Sequence, residues 1–460
     1  MTDNSESLGR VVTPADPSYD QARQVWNSIY TASPAEIIYC REAKDVSIAL
    51  GRALDKGTPF RMRCGGHSYE GSSTLDGGVV IDVTDMNSVT VSGDRKTAVI
   101  GAGGRLGDIY SALSAEGVAI PGGTCPPVGI SGLTLGGGLG MLVRSEGLLI
   151  DSLLSFEMVD AKGRVLTADR DNHPDLFWAC RGGGGGNFGI ATSFTFRLVP
   201  IEVATVFTIT WPWDDFEEVM DAWQHWAAVA DERISMLFIP LPESVGSVAV
   251  LGEFKGTNDE LTPLLEPISG VGHPKVENYE YTSYIDAVNK VADLEGPQAR
   301  AATTRVKAKT SFVSDPLGPE AIRTFKDWMA QAPSGAAPTI YAMGGAIRRV
   351  RPDETAFVHR DARFLIAYQT NWDISDDDQK NLAWCENIYE AMSPYVKGGA
   401  YVNIPDRLLT DWLRAYYGDN LRRLIEVKHA YDPEDVFHFA QSIPVSLPGD
   451  AVEVTEDRNG

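Results

Sequence analysis

The chain has no apolar run of about 18 residues, so nothing in it reads as a membrane-spanning helix. Its first twenty residues, MTDNSESLGRVVTPADPSYD, lack the basic flank and apolar stretch of a secretory leader. These absences predict a cytoplasmic protein with no membrane partner. Cysteine is scarce: five in 460 residues, an odd number at scattered positions. Such a set does not build a disulfide framework, and most of these thiols are expected to pack as small apolar groups. Positive charge is also short. Lys and Arg number 40 against 63 Asp and Glu, a net charge of -23. A chain this acidic repels phosphate backbones, which argues against nucleic acid as a partner. No internal repeat of useful length is present.

What is present is a large apolar fraction, 43% of residues, enough for a core and too much for a disordered chain. The length predicts two or three domains. Up to about residue 200, short β-like runs alternate with helices. Glu36–Cys40, Phe60–Cys64, Val79–Val83, Ala98–Ile100, Leu153–Val159, Arg164–Ala168 and Ile190–Leu198 read as strands. Asp45–Lys56 and Leu106–Ala115 carry apolar residues at helical spacing. From about residue 203 glycine thins and tryptophan appears. Val203–Trp211, Ser247–Phe254, Thr304–Phe312, Thr339–Arg348 and Phe364–Trp372 are longer strand candidates. Phe216–Ala228, Pro319–Ala330 and Asp378–Met392 are helix candidates. Long strands with aromatic alternation suit a sheet with one face over a pocket. Near the C-terminus Gly398–Asn403 reads as a strand, and Arg407–Ala415 and Asn420–Ala430 as helices. The acidic stretch beyond Leu447 is expected to fray.

Three glycine clusters stand out: Arg63–Gly71 (RCGGHSYEG), Gly122–Gly140 (GGTCPPVGISGLTLGGGLG), and Arg181 followed by five glycines and Asn187-Phe-Gly-Ile190. Glycine lets backbone N–H groups approach a pyrophosphate. Any one cluster by itself reads as a tight turn or flexible loop. Three together point to a cofactor cradle, because ordering three such loops without a ligand is costly. Val99–Gly107 (VIGAGGRLG) imitates a Rossmann turn, but its third glycine is one residue late and no acidic residue follows about 20 positions on. Within the clusters, His67 and Cys125 are nucleophiles that could attack an electron-poor flavin ring. Two other readings of the same residues stand beside this one. Cys64, His67 and Cys125 could hold zinc, though without a fourth ligand or paired-ligand spacing. Alternatively, the pair is a satisfied histidine and an inert thiol.

These motifs resemble the berberine-bridge-enzyme-like oxidases of the vanillyl-alcohol-oxidase, PCMH-type flavoprotein superfamily. The resemblance runs from about residue 34 to residue 443 and includes DLFWACRGGGGGNFGIAT, GAYVNIPD, YYGDNLRRLIEVKHAYDP and VFHFAQSI. It implies FAD linked covalently through His67 to the 8α-methyl carbon and through Cys125 to C6. The loops that carry the match imply further cofactor contacts: Arg63, Gly65, Gly66, Ser68, Tyr69, Gly129, Ser131, Gly132, Leu135, Gly136, Gly140, Gly189, Ile190 and Asn403. It implies an α+β fold. A two-part PCMH-type FAD-binding domain would use residues 1–203 and a returning segment, 400–460. Residues 204–399 would form an α/β substrate domain with a large antiparallel sheet flanked by helices. The implied activity is hydride transfer from a small organic substrate (oligosaccharide, alkaloid or other secondary metabolite) to the flavin. Molecular oxygen then reoxidises it, giving hydrogen peroxide. A dehydrogenase using another acceptor, or a natural-product cyclase or desaturase, is the alternative. No metal is expected, and the chain would be a monomer or homodimer. Val128, third after the cysteine, resembles the oxidase type at a position that governs oxygen access.

One position departs from the family pattern. Where many members place a tyrosine after the asparagine of YxN, this chain has Ile404, which cannot accept a proton. If 398–403 is a strand, Tyr401 shares a face with Asn403 and not with Ile404. The candidates for the catalytic group are Tyr401, Tyr341 and Tyr368, with Arg348, His359 and Gln369 also on the roof strands or near them.

Overall fold

The runs of alternating apolar residues assemble into three principal β-sheets, seen in a computed structural model. It describes residues 9–447 except 297, 298, 300, 302 and 374–376, so the acidic tail beyond Leu447 lies outside the described residues. The first sheet has four strands in the order Val11–Val12, Glu36–Tyr39, Val79–Asp82, Phe60–Arg63. Its last three strands run parallel. Val80 and Ile81 are fully buried, as expected for strands covered on both faces. The second sheet is antiparallel, in the order Val89–Val91, Thr97–Gly101, Ile190–Arg197, Leu153–Val159, Val165–Asp169.

The third sheet has seven antiparallel strands: Lys275–Tyr281, Ala204–Pro212, Ser247–Phe254, Ile234–Pro240, Thr339–Ala342, Phe364–Trp372 and Arg305–Val313. Period-two alternation gives it two different faces. On Phe364–Trp372, the residues Phe364, Ile366 and Tyr368 join a core with helices Phe216–Ala227, Pro319–Ala330 and Asp378–Met392. Leu365 and Ala367, between them, join a separate cluster with Leu139, Phe357, Tyr401 and Ile404. Each fully buried Phe or Leu in these layers contributes about 1.5–3 kcal/mol. The α+β class and the large helix-flanked antiparallel sheet expected from the sequence are both observed.

Several local expectations are corrected. Gly398–Asn403 is not a strand, because no neighbouring strand pairs with it. Its backbone is satisfied locally: Ala400 N–H donates to Ala415 O, Tyr401 N–H to Thr310 Oγ1, and Ile404 N–H to Tyr401 O in a turn. Arg407–Ala415 is not one helix; a short helix forms only over Trp412–Tyr417. Thr339–Arg348 stops as a strand at Ala342 and becomes a 3-10 turn, Gly345–Arg349. The break is enforced by buried Arg144, whose guanidinium donates to Met343 O at 2.8 Å and Ala227 O at 2.5 Å. Strands Ile234–Pro240 and Lys275–Tyr281 and helices Asn258–Ser269 and Tyr284–Glu295 were not anticipated. The first of these helices contains Pro263 and Pro267, and Lys275–Tyr281 is a largely polar edge strand. Among the described residues, no helix is long and apolar enough to cross a membrane.

Candidate active site

The parallel strand Phe60–Arg63 ends by placing Arg63 opposite its register partner Asp82, and the two form a buried ion pair. The chain then leaves the sheet in the loop 64–70. The second glycine loop leads into helix Ile130–Gly136. The two loops meet backbone to backbone: a Cβ on Gly65 would lie 2.6 Å from Gly129 N, and one on Gly129 would overlap Cys64 Sγ. Only glycine permits this approach.

Between the loops lies a cavity of about 540 Å³. That is within the range, about 300–1,000 Å³, of small-molecule sites. From the first loop it is lined by Arg63, Gly65, Gly66, His67, Ser68 and Tyr69. The second contributes Thr124, Cys125, Val128, Gly129, Ser131, Gly132 and Leu135. The third glycine cluster adds Gly184–Asn187, Gly189 and Ile190. Tyr341 and Leu365 enter from the large sheet, Tyr401–Ile404 from the C-terminal segment. Most residues singled out from the sequence therefore meet in one place.

Six of the residues singled out from the sequence do not line this cavity. Tyr368 is 0% exposed and packs on Phe325 and Tyr389 on the helix side of the sheet, so it is removed from the catalytic candidates. Gly136 packs against the Asn403 amide, and Gly140 against the Gly122 carbonyl. They shape the wall without facing the cavity. His359 stacks on Phe312 at 4.1 Å, with Nε2 3.2 Å from Tyr416 O. Arg348 donates to Asp361 O at 3.0 Å. Gln369 reaches the site indirectly, accepting from the Tyr69 hydroxyl at 3.1 Å. Ile404 lines the cavity along with Tyr401 and Asn403, so the facing argument built on a strand fails with the strand.

His67 is held by a residue outside the glycine motifs. Trp26 stacks on its ring at 3.9 Å with an interplanar angle of 16°. Burial pushes the imidazole down to about 3, so the ring is neutral at physiological pH. Its Nε2 is buried and makes no hydrogen bond. Across the cavity, Cys125 Sγ lies 3.9 Å from Thr124 Oγ1. The Thr124 hydroxyl donates to Glu295 Oε1 at 2.9 Å. Burial, and then the Glu295 charge, push the Cys125 thiol up to about 12. Burial pushes the Glu295 carboxyl up to about 7.

The C-terminal wall is organised by Tyr401. Its hydroxyl accepts from Gly138 N–H at 2.8 Å and from Asn403 Nδ2 at 3.0 Å. Asn403 Nδ2 also donates to Leu133 O at 2.9 Å. Burial pushes the Tyr401 phenol up to about 12, and burial followed by the Glu295 charge raises Tyr341 further. A buried ion chain ties the first loop to this segment. Glu70 receives Tyr30 and Lys307 (2.6 Å), and Lys307 also donates to Asp406 at 2.7 Å. Burial raises the Asp406 carboxyl, but Lys307 and Lys309 outweigh it and hold it below the usual carboxylate range.

Trp26, Thr124, Glu295 and the lysine–carboxylate chain escaped the sequence reading. Thr124 stood beside a singled-out cysteine. Glu295 ends a helix whose periodicity was not recognised.

These residues fit a flavin nucleotide. An imidazole nitrogen without a partner is buried in the wall, two nucleophiles share one cavity, and glycines of all three clusters line it. Among the described residues, no group of three or more His, Cys, Asp or Glu is arranged to hold a metal ion.

Known proteins resemble this chain in sequence and fold. Residues 34–169 match the family model described as an FAD binding domain, and residues 400–444 match the one described as berberine and berberine like. The FAD-linked oxidoreductase YgaK of Bacillus subtilis is 43% identical over 447 residues, spanning 96% of this chain and 98% of its own length. The solved structure of BBE-like 1 from Physcomitrella patens is 32% identical, with a TM-score of 0.88 over 95% of this chain and 97% of that one. Xylooligosaccharide oxidase of Myceliophthora thermophila C1, solved with xylobiose, is 25% identical, with a TM-score of 0.87 over 95% and 97% of the two chains. Fold and site together define an FAD-dependent oxidoreductase enzyme. More narrowly, the chain belongs to the berberine-bridge-enzyme-like FAD-linked oxidases of the PCMH superfamily.

Proposed function

We propose that the chain holds one FAD through two covalent links, His67 and Cys125, and acts as an oxidase on a small organic substrate. The observation that carries this reading is the convergence of both nucleophiles on one cavity, with the imidazole neutral and its Nε2 free of hydrogen bonds. We divide the chain as the resemblance implies, with 1–203 and 400–460 holding the cofactor and 204–399 facing the substrate. FAD held there would supply the redox chemistry, accepting a hydride from a substrate carbon and giving up the electron pair to molecular oxygen as hydrogen peroxide.

The protein's own groups supply binding and orientation. Glycine backbone and Ser68, Ser131 and Arg63 would hold the dinucleotide, and Asn403 would hydrogen-bond the flavin. Val128, a small side chain of the oxidase type lining the cavity, would leave room for oxygen. Tyr401 already accepts two N–H bonds, so its own proton points onward, and with Tyr341 it forms the hydroxyl-bearing wall on the substrate side. The substrate class is an oligosaccharide, alkaloid or other secondary metabolite. Xylooligosaccharide oxidase supports the first of these. Ile404, which cannot take a proton, supports a second reading in which a natural product is cyclised or desaturated on the same scaffold.

Acid precipitation tests the cofactor assignment. The wild-type pellet should stay yellow. His67→Ala and Cys125→Ala should each alter the spectrum yet keep flavin in the pellet, and only the double variant should release all of it. Flavin in the wild-type supernatant would overturn the covalent assignment. Stopped-flow mixing of reduced enzyme with oxygen separates oxidase from dehydrogenase, and slow reoxidation would replace the oxidase reading with transfer to another acceptor.

A further inference from the structure

A thiol is a nucleophile only as thiolate, and in this cavity burial holds the Cys125 thiol protonated at neutral pH. Attachment of flavin at this sulfur therefore needs a nearby base. The imidazole of His67 belongs to the opposite link. The groups beside Cys125 are in successive contact: Sγ, then Thr124 Oγ1 at 3.9 Å, then Glu295 Oε1 at 2.9 Å. The directions of these contacts match a relay. Thr124 donates its proton to Glu295, which leaves its oxygen lone pairs to accept from the thiol. Thr124 and Cys125 both line the cavity, while Glu295 stands behind Thr124 at the end of helix Tyr284–Glu295.

We propose that Thr124 and Glu295 form the relay that removes the Cys125 proton as its sulfur bonds to FAD. The inference rests on the bicovalent reading above. In the step, the Cys125 sulfur forms a bond to ring carbon C6. The thiol proton passes to the Thr124 oxygen while the Thr124 proton passes to Glu295. The C6 hydrogen leaves as a proton, and the electron pair enters the ring. Molecular oxygen removes that pair and leaves as hydrogen peroxide, so thiol, FAD and oxygen give the thioether-linked FAD and peroxide. Glu295, tuned close to neutrality, both accepts the proton and releases it afterwards.

The test uses a His67→Ala background, in which Cys125 is the one route to covalent flavin. Full-length chains with H67A alone, and with added E295Q, T124V or T124S, are purified with their flavin and incubated with FAD in air. Acid-quenched aliquots are read for flavin in the pellet, for adduct by intact mass, and for non-covalent FAD in the supernatant. H67A and H67A/T124S should form the adduct at similar rates. E295Q keeps a hydrogen-bond acceptor for Thr124 but is no base, and T124V keeps the shape but no hydroxyl. Both should slow linkage by about a hundredfold while still binding FAD. Equal rates in all four chains would overturn the relay. Loss of non-covalent FAD from E295Q would also overturn it, by assigning Glu295 to structure. If H67A never forms an adduct, the covalent reading itself fails, a result distinct from the other two.

Discussion

Lys428 offers a quantitative test of what holds the C-terminal wall of the cavity. It is 0% exposed, inside helix Leu421–Tyr431. Its ammonium donates to Asp432 Oδ2 at 2.6 Å, Phe437 O at 2.8 Å and Asn187 O at 3.0 Å. Asn187 in turn donates to Gly183 O at 3.0 Å and accepts from Ile443 N–H at 2.8 Å. One buried cation thus joins the third glycine cluster to the segment whose residues Phe439, Ala440 and Gln441 line the cavity. Lys428→Met keeps most of the stem but strands the Asp432 carboxylate, itself 0% exposed, and two carbonyls. Removing one partner of a buried ion pair costs about 3–5 kcal/mol. The Asp432 carboxylate still accepts from Val436 and Phe437 N–H groups at 2.8 and 2.9 Å, which favours the lower end. The assay is chemical unfolding followed by circular dichroism, with release of flavin from the His67→Ala/Cys125→Ala chain as a local probe. Destabilisation of about 3 kcal/mol with faster flavin loss is expected. In a double-mutant cycle with Asp432→Asn, the double variant should cost less than the sum of the singles. Destabilisation below about 1 kcal/mol, the range of an exposed pair, would refute the reasoning.

Two further outcomes follow from the site and its surroundings. Glu253 is 1% exposed, and burial pushes its carboxyl up to about 8. The unfolded chain loses this proton near pH 4.5 while the folded chain keeps it, so stability falls as pH rises from about 4.5 to 8. Glu253→Gln should therefore raise stability at pH 8 by about 1–3 kcal/mol and flatten that limb of the pH–stability curve; an unchanged curve would contradict the assignment. Tyr368→Phe, on the far face of the sheet, should leave the rate of flavin reduction unchanged in anaerobic stopped flow. Tyr401→Phe, which removes the acceptor of Gly138 N–H and Asn403 Nδ2, should slow it about tenfold or more; the opposite ranking would place the reactive face on the wrong side of the sheet.

The local sequence determined the elements whose signals are self-contained. The helices Pro319–Ala330 and Asp378–Met392 and the strand Phe364–Trp372 have the predicted limits, because amphipathic period and capping are read within one segment. The glycine loops with His67 and Cys125 were equally legible, since close backbone approach demands glycine wherever the partner comes from. Other features depend on what lies across space. Gly398–Asn403 has strand-like residues but no strand to pair with, so turn bonds took over. Tyr368 and Leu365 look alike as apolar strand residues, and the sheet's packing alone sent one to the helices and the other to the cavity. Trp26 reaches His67, Glu295 reaches Thr124 from 171 residues away, and Lys307 joins Glu70 to Asp406 across 237 and 99 residues of chain. No periodicity records such contacts. Hydrogen bonding and burial are satisfied by proximity, and proximity between distant residues is decided by the fold as a whole.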